Sequence, residues 1–122
     1  GPIVLWGTGT PRREFLYSED LADACVHLLS ASSATLATLF NDEHPPLINI
    51  GCGEDLTIRE LAQTVAEVVG YTGEIRQDAD KPDGTPRKLM DVSRIKELGW
   101  QPSTPLRQGI AQAYADFLAR EA

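Results

Sequence analysis

The stretch Ile48 to Gly70, INIGCGEDLTIRELAQTVAEVVG, reads as a strand, a glycine turn and a capped helix in one run, and it decides the fold class. Leu47 to Ile50 is continuous and mostly apolar, and Gly51 and Gly53 stop it, which predicts a short strand with a tight exit. In TIRE, Thr57 and Glu60 have the spacing of a capping box, in which each side chain satisfies a free amide of the first helical turn. Ile58, Leu61, Val65, Val68 and Val69 then recur on one helical face, and Gly70 supplies a C-terminal cap.

The same alternation continues on both sides. Upstream, Ile3 to Trp6 predicts a strand ending in the turn GTGTP, and Arg13 to Tyr17 a second extended piece. Ser18 stands as an N-cap, Glu19 and Asp20 favour the positive end of a helix dipole, and Leu21, Ala24, Cys25, Leu28 and Leu29 predict a helix to about Ser32. Ser33 to Pro46 has no clean period and reads as an irregular excursion. Downstream, Glu74 to Gln77 predicts a strand, and Asp80 to Lys88 a loop, because two prolines and a glycine oppose a regular ladder. Asp91 caps a short helix from Val92 to Leu98, closed by Gly99, and Ser103 to Pro105 opens a last helix with Pro105 at its first position. These elements predict an α/β chain. The strands are few for so many amphipathic helices, so a partner domain is expected outside the chain.

The 122 residues suit one domain, 1–122, and the composition is that of a soluble globular protein. No apolar run approaches the ~18 residues of a membrane span. A net charge of −7 argues against a nucleic-acid partner, which needs a basic field over a whole face. Cys25 and Cys52 fit neither a disulfide framework nor a zinc spacing, and a reducing cytoplasm is the expected compartment. His27 and His44 lack the neighbours of a metal site and read, like the cysteines, as structural. GPIVLWG has no initiator methionine and no basic secretory leader, so the chain reads as cut from something longer.

Against this acidic background, Arg12, Arg13, Lys81, Arg87 and Lys88 make five of the eleven lysines and arginines; four of them sit in two similar loop segments, GTPRR at Gly9 to Arg13 and GTPRK at Gly84 to Lys88, and Lys81 stands just ahead of the second. Glycine lets a backbone approach a ligand, proline sets the turn, and arginine offers a planar fork to phosphate oxygens. Two such loops either close on a diphosphate or pair their cations with Asp80, Asp83 or Glu14. Their unlike surroundings argue for convergent turn chemistry rather than duplication. Neither is a P-loop. INIGCGEDLT also resembles the cofactor turn of S-adenosylmethionine methyltransferases, but Asp55 replaces the third glycine expected there, and Leu56 breaks the dinucleotide fingerprint.

Taken together, WGTGTPRREFLYSEDLADA from Trp6, INIGCGEDLTIRELAQTVAEVVGYTGEI from Ile48, KPDGTPRKLMDVSRIKELGW from Lys81 and TPLRQGI from Thr104 resemble the C-terminal part of the GDP-L-fucose synthase family. That family belongs to the extended short-chain dehydrogenases/reductases. The resemblance implies the substrate-binding lobe of such an enzyme, with the Rossmann lobe largely absent from this chain. It implies a reaction that converts GDP-4-keto-6-deoxy-mannose to GDP-L-fucose by epimerisation and NADPH-dependent reduction. NADP(H) and the Ser, Tyr-x-x-x-Lys catalytic set would belong to the upstream lobe. A homodimer is expected for the whole protein, and no activity for these residues alone.

Carried over by position, the resemblance gives Arg13 to the diphosphate, Trp6 to the nucleotide side and Asp83 to a hydroxyl of sugar or ribose. Lys88 and Arg87 are implied as further phosphate charges, with pairing to Asp91 as the structural alternative. Arg12 receives no role. A free-standing nucleotide-sugar-binding module without catalysis, and more distantly a methyltransferase fragment, stand as the other readings.

Overall fold

The computed structural model describes residues 1–122. In chain order the elements are β1 (Ile3–Trp6), β2 (Arg12–Arg13), α1 (Ser18–Leu29), α2 (Ser33–Ala37), β3 (Leu56–Thr57), α3 (Ile58–Val69), β4 (Ile75–Asp78), β5 (Arg87–Lys88), α4 (Ser93–Glu97) and α5 (Leu106–Glu121). They fall into two compact units, one made of Gly1–Glu14, Glu54–Leu89 and Pro105–Ala122, the other of Phe15–Gly53 and Met90–Thr104.

The first unit holds all the strands. β1 and β4 pair in parallel, Ile3 opposite Ile75 through Trp6 opposite Asp78. Ile3 N–H donates to Glu74 O at 3.0 Å and Gly7 N–H to Asp78 O at 2.9 Å, so the ladder continues past both ends of the strand. The second sheet has the order β3-β2-β5. β2 runs antiparallel to β3 and parallel to β5. The TIRE signature forms as expected: Thr57 Oγ1 accepts the Glu60 N–H at 3.1 Å, and Glu60 Oε2 accepts the Thr57 N–H at 2.7 Å. Gly70 closes α3 in the left-handed conformation at φ +75°, and α5 lies against α3.

The second unit is built around Ala24, Val92, Ile95 and Trp100, with Leu16, Leu28, Ile48 and Ile50 packed against them. Ile95 is 1% exposed, and its truncation to alanine would cost about 2–5 kcal/mol. Polar groups lock the same helices. The buried Asp20 carboxylate accepts Ser103 Oγ–H at 3.1 Å, Thr104 N–H at 2.9 Å and Thr104 Oγ1–H at 3.1 Å. Trp100 Nε1–H donates to Asp23 at 2.9 Å.

Several local expectations shift. α1 begins at Ser18 with Tyr17 as its N-cap and ends at Leu29, so Ser18 lies inside the first turn. The excursion after it contains α2, capped by the Ser32 hydroxyl. Leu47 to Ile50 is not a strand. No strand runs beside it, and side chains serve its neighbourhood instead: Arg94 donates to Leu47 O at 2.7 Å, and Asn49 Nδ2–H to Asp91 O at 3.2 Å. Its isoleucines still face the core. Arg87 and Lys88, read as loop, form β5, because Pro86 lies just before the pairing and gives up no ladder donor.

Candidate anion-binding site

The two Gly-Thr-Pro-Arg segments meet in the first unit and pair with each other in register. β2 and β5 run parallel with Arg12 opposite Arg87 and Arg13 opposite Lys88, so the last two positions of one copy face the same positions of the other. Arg12 N–H donates to Pro86 O at 2.8 Å, one of the bonds of the Arg12/Arg87 pairing. Neighbouring residues of a strand point to opposite faces. The four cations therefore separate into an Arg12/Arg87 face and an Arg13/Lys88 face.

The first face is neutralised. Asp55, whose side chain is 5% exposed, accepts Arg12 Nε–H at 2.9 Å on one oxygen and Arg87 Nε–H at 2.7 Å on the other. Burial pushes the Asp55 carboxyl up, but the hydrogen bonds from Arg87 and Arg12, with their charges, outweigh it and hold it below its ordinary range. Arg87 thus pairs with Asp55 rather than with Asp91, whose carboxylate instead accepts the Ser93 N–H at 2.9 Å.

The second face has no carboxylate at ion-pair distance. Arg13 Nη1 donates to Thr85 O at 2.6 Å and Arg12 O at 2.7 Å, bonds that orient the guanidinium without cancelling its charge. A Cβ on Gly84 would come within 2.9 Å of Arg13 Nη2, so the glycine makes room for the fork.

Trp6 and Asp83 lie in the same unit. Trp6 is 71% exposed at the end of β1, and Lys81 Nζ lies 5.6 Å from its ring centroid, within cation–π range. Asp83 reaches the first glycine turn: its oxygens accept Thr8 N–H at 2.8 Å and Thr8 Oγ1–H at 2.7 Å. The Thr8 hydroxyl proton is committed there, so in the 2.7 Å contact between Thr8 and Thr10 it is Thr10 that donates. The hydrogen bonds from the Thr8 hydroxyl and then its amide outweigh burial and hold the Asp83 carboxyl below its usual range. Gly7 has φ +79°, and a Cβ there would overlap the Asp83 carboxylate. From the other side Arg59 Nη2 donates to Thr8 O at 2.8 Å and to Gln77 Oε1 at 3.1 Å.

Trp6, Arg13, Asp83, Arg87 and Lys88 therefore lie in one unit, on β1, β2, β5 and the loops beside them. Asp55 is the residue that the sequence does not single out. Its only local signal is that it replaces a glycine in a motif it does not complete. Cys25 and Cys52 form no disulfide, and no helix is long and apolar enough to cross a membrane.

Residues 1–51 match the NAD dependent epimerase/dehydratase family. GDP-L-fucose synthase 1 of Arabidopsis thaliana is 53% identical over 116 residues, which are 95% of this chain and 33% of that protein. The chain belongs to the NAD dependent epimerase/dehydratase family. Among solved structures of this kind, a GDP-6-OMe-4-keto-L-xylo-heptose reductase from C. jejuni superposes with a TM-score of 0.86 at 37% identity, covering 96% of this chain and 34% of its own. A GDP-L-fucose synthetase from Naegleria fowleri bound to NADP gives 0.76 at 28% identity, over 97% of this chain and 35% of its own. The chain thus spans about a third of the length of the curated relatives it matches. The mixed α/β architecture expected for the C-terminal lobe of an extended short-chain dehydrogenase/reductase is the one found.

Proposed function

We propose that this chain is the GDP-sugar-binding part of an enzyme of the GDP-L-fucose synthase type, converting GDP-4-keto-6-deoxy-mannose to GDP-L-fucose by epimerisation and NADPH-dependent reduction. The observation that carries the reading is the in-register pairing of the two Gly-Thr-Pro-Arg segments, which sets Arg13 beside Lys88 on a face with no carboxylate partner. In a chain of net charge −7, that face suits one small, highly charged anion rather than a polymer. The sequence relatives and the structural neighbours named for GDP-sugars narrow the anion to a nucleoside diphosphate sugar.

In this reading Arg13 binds the diphosphate bidentately, Lys88 adds charge to it, Trp6 packs on the nucleotide side, and Asp83 accepts from a sugar or ribose hydroxyl, whereas Arg87, also expected at the phosphates, is taken by Asp55 on the other face. Asp83 and Thr8 already join the two loops, so the ligand would meet a preorganised wall. Binding energy from the remote GDP holds the sugar against reacting groups elsewhere, which is how such a lobe serves catalysis without catalytic residues of its own. NADP(H), which supplies hydride to the ketone, finds no holder among these residues: Leu56 breaks the glycine fingerprint, and no tyrosine precedes a lysine by four. Its binding, and the proton transfers, belong in this reading to a Rossmann lobe outside these residues. Residues 1–122 then act as the substrate-binding lobe of a cytoplasmic homodimer and turn nothing over alone.

Calorimetric titration of GDP into the natural polypeptide tests the reading. Arg13→Ala should weaken binding by about 1–3 kcal/mol through loss of a charge-assisted pair. Failure of the natural protein to bind GDP would refute the reading, and GDP binding without turnover of the keto sugar would favour a non-catalytic module.

A further inference from the structure

We infer that Asp55 is a positioning residue for the anion face: by neutralising Arg12 and Arg87 it allows β2 and β5 to pair and so holds Arg13 and Lys88 side by side. Two strands of two residues each are a weak ladder, and here both cross-strand pairs join like charges, an arrangement that opposes pairing. A ligand can neutralise the Arg13/Lys88 pair only when it is bound. The Arg12/Arg87 pair must be neutralised permanently, and Asp55 does this with one oxygen for each guanidinium, at 2.9 and 2.7 Å.

The carboxylate is itself anchored. Leu56, the next residue, pairs with Arg13 across β3 and β2, and Arg12 Nη2 makes a second contact with the Asp55 carbonyl at 3.3 Å. Asp55 thus ties three strands together from a position almost closed to solvent, where an unpaired charge would be costly. The division of labour follows from the strand alternation: one arginine of each segment is held by the protein, and the neighbouring cation is left for the ligand.

The inference rests on the anion-site reading above, and GDP titration of the natural polypeptide separates the two. If the wild-type protein does not bind GDP, the anion-site reading fails, and this one with it. If wild type binds and Arg13→Ala weakens it, Asp55 is tested by itself. Asp55→Asn raises the charge of the Arg12, Asp55, Arg87 trio by one and should weaken GDP binding by on the order of tenfold. Adding Arg12→Gln restores the trio's charge and should bring affinity back to within about threefold of wild type, a rescue that simple damage to packing would not allow. Unchanged affinity in Asp55→Asn would overturn the inference, as would a loss that Arg12→Gln leaves uncorrected. Should Asp55→Asn fail to fold, the double variant decides: near-wild-type binding supports the inference, and a tenfold loss or failure to fold overturns it.

Discussion

Replacing Gly7 by alanine tests the junction between the first glycine turn and Asp83. Gly7 and Gly70 share nearly the same left-handed backbone, φ +79° and +75°, but differ in surroundings. A Cβ on Gly70 meets nothing within 4 Å, whereas one on Gly7 overlaps the Asp83 carboxylate and lies 3.1 Å from its Cγ. Gly70→Ala therefore reads the backbone strain alone, about 1 kcal/mol. Gly7→Ala carries that strain and also expels Asp83, releasing the Thr8 amide and hydroxyl it holds, for a total of about 2–3 kcal/mol. With a urea slope of about 2 kcal/mol per molar, the midpoint should fall by about 0.5 M for Gly70→Ala and about 1–1.5 M for Gly7→Ala. GDP titrated in parallel should bind more weakly to Gly7→Ala, because the turn that ends beside Trp6 has moved, and should bind Gly70→Ala as it binds wild type. Equal midpoints for the two variants, or undiminished GDP affinity in Gly7→Ala, would refute the reasoning.

Asp20→Ala strands three donors in the second unit and should cost on the order of 3 kcal/mol, with Asp20→Asn recovering part because its amide offers one carbonyl oxygen. Urea midpoints indistinguishable from wild type would show that these bonds contribute nothing. Thr57→Ala removes the capping-box hydroxyl and should destabilise by about 1 kcal/mol, while Thr57→Ser should stay near wild type. Asp55, Glu60, Asp83 and Asp91 all have carboxyls held below their ordinary values. Stability from such groups is complete above the unfolded values near pH 4 and is lost as pH falls through the lower folded ones. Urea midpoints should be flat from pH 6 to 8 and drop in acid below about pH 4, less steeply in Asp55→Asn; a midpoint that rises on acidification would contradict this sign.

Much of the fold was legible because it rests on interactions a few residues apart. The Thr57/Glu60 capping box spans one helical turn, and Gly70 ends α3 where the apolar face ends, so neither depends on the rest of the chain. The apolar run Ile3 to Trp6 became β1 as read. LINI had an equally good strand signal and formed none, since a strand is completed by a neighbour that local sequence does not name. The site divides in the same way. Composition and the repeated Gly-Thr-Pro-Arg segments singled out Arg13, Arg87 and Lys88, and the family resemblance added Trp6 and Asp83.

By itself, the sequence determined the chain's α/β character, the start and stop of α3, and the concentration of cations in two short segments of an acidic protein. Only the tertiary structure decided that the two loops pair in register, that Asp83 closes on Thr8, and that Asp55 takes Arg12 and Arg87 while Arg13 and Lys88 stay uncancelled. The reason is distance along the chain: Asp55 lies 43 residues from Arg12 and 32 from Arg87. An ion pair of that kind leaves no period or spacing in the sequence, because it exists only once β2, β3 and β5 have been brought together.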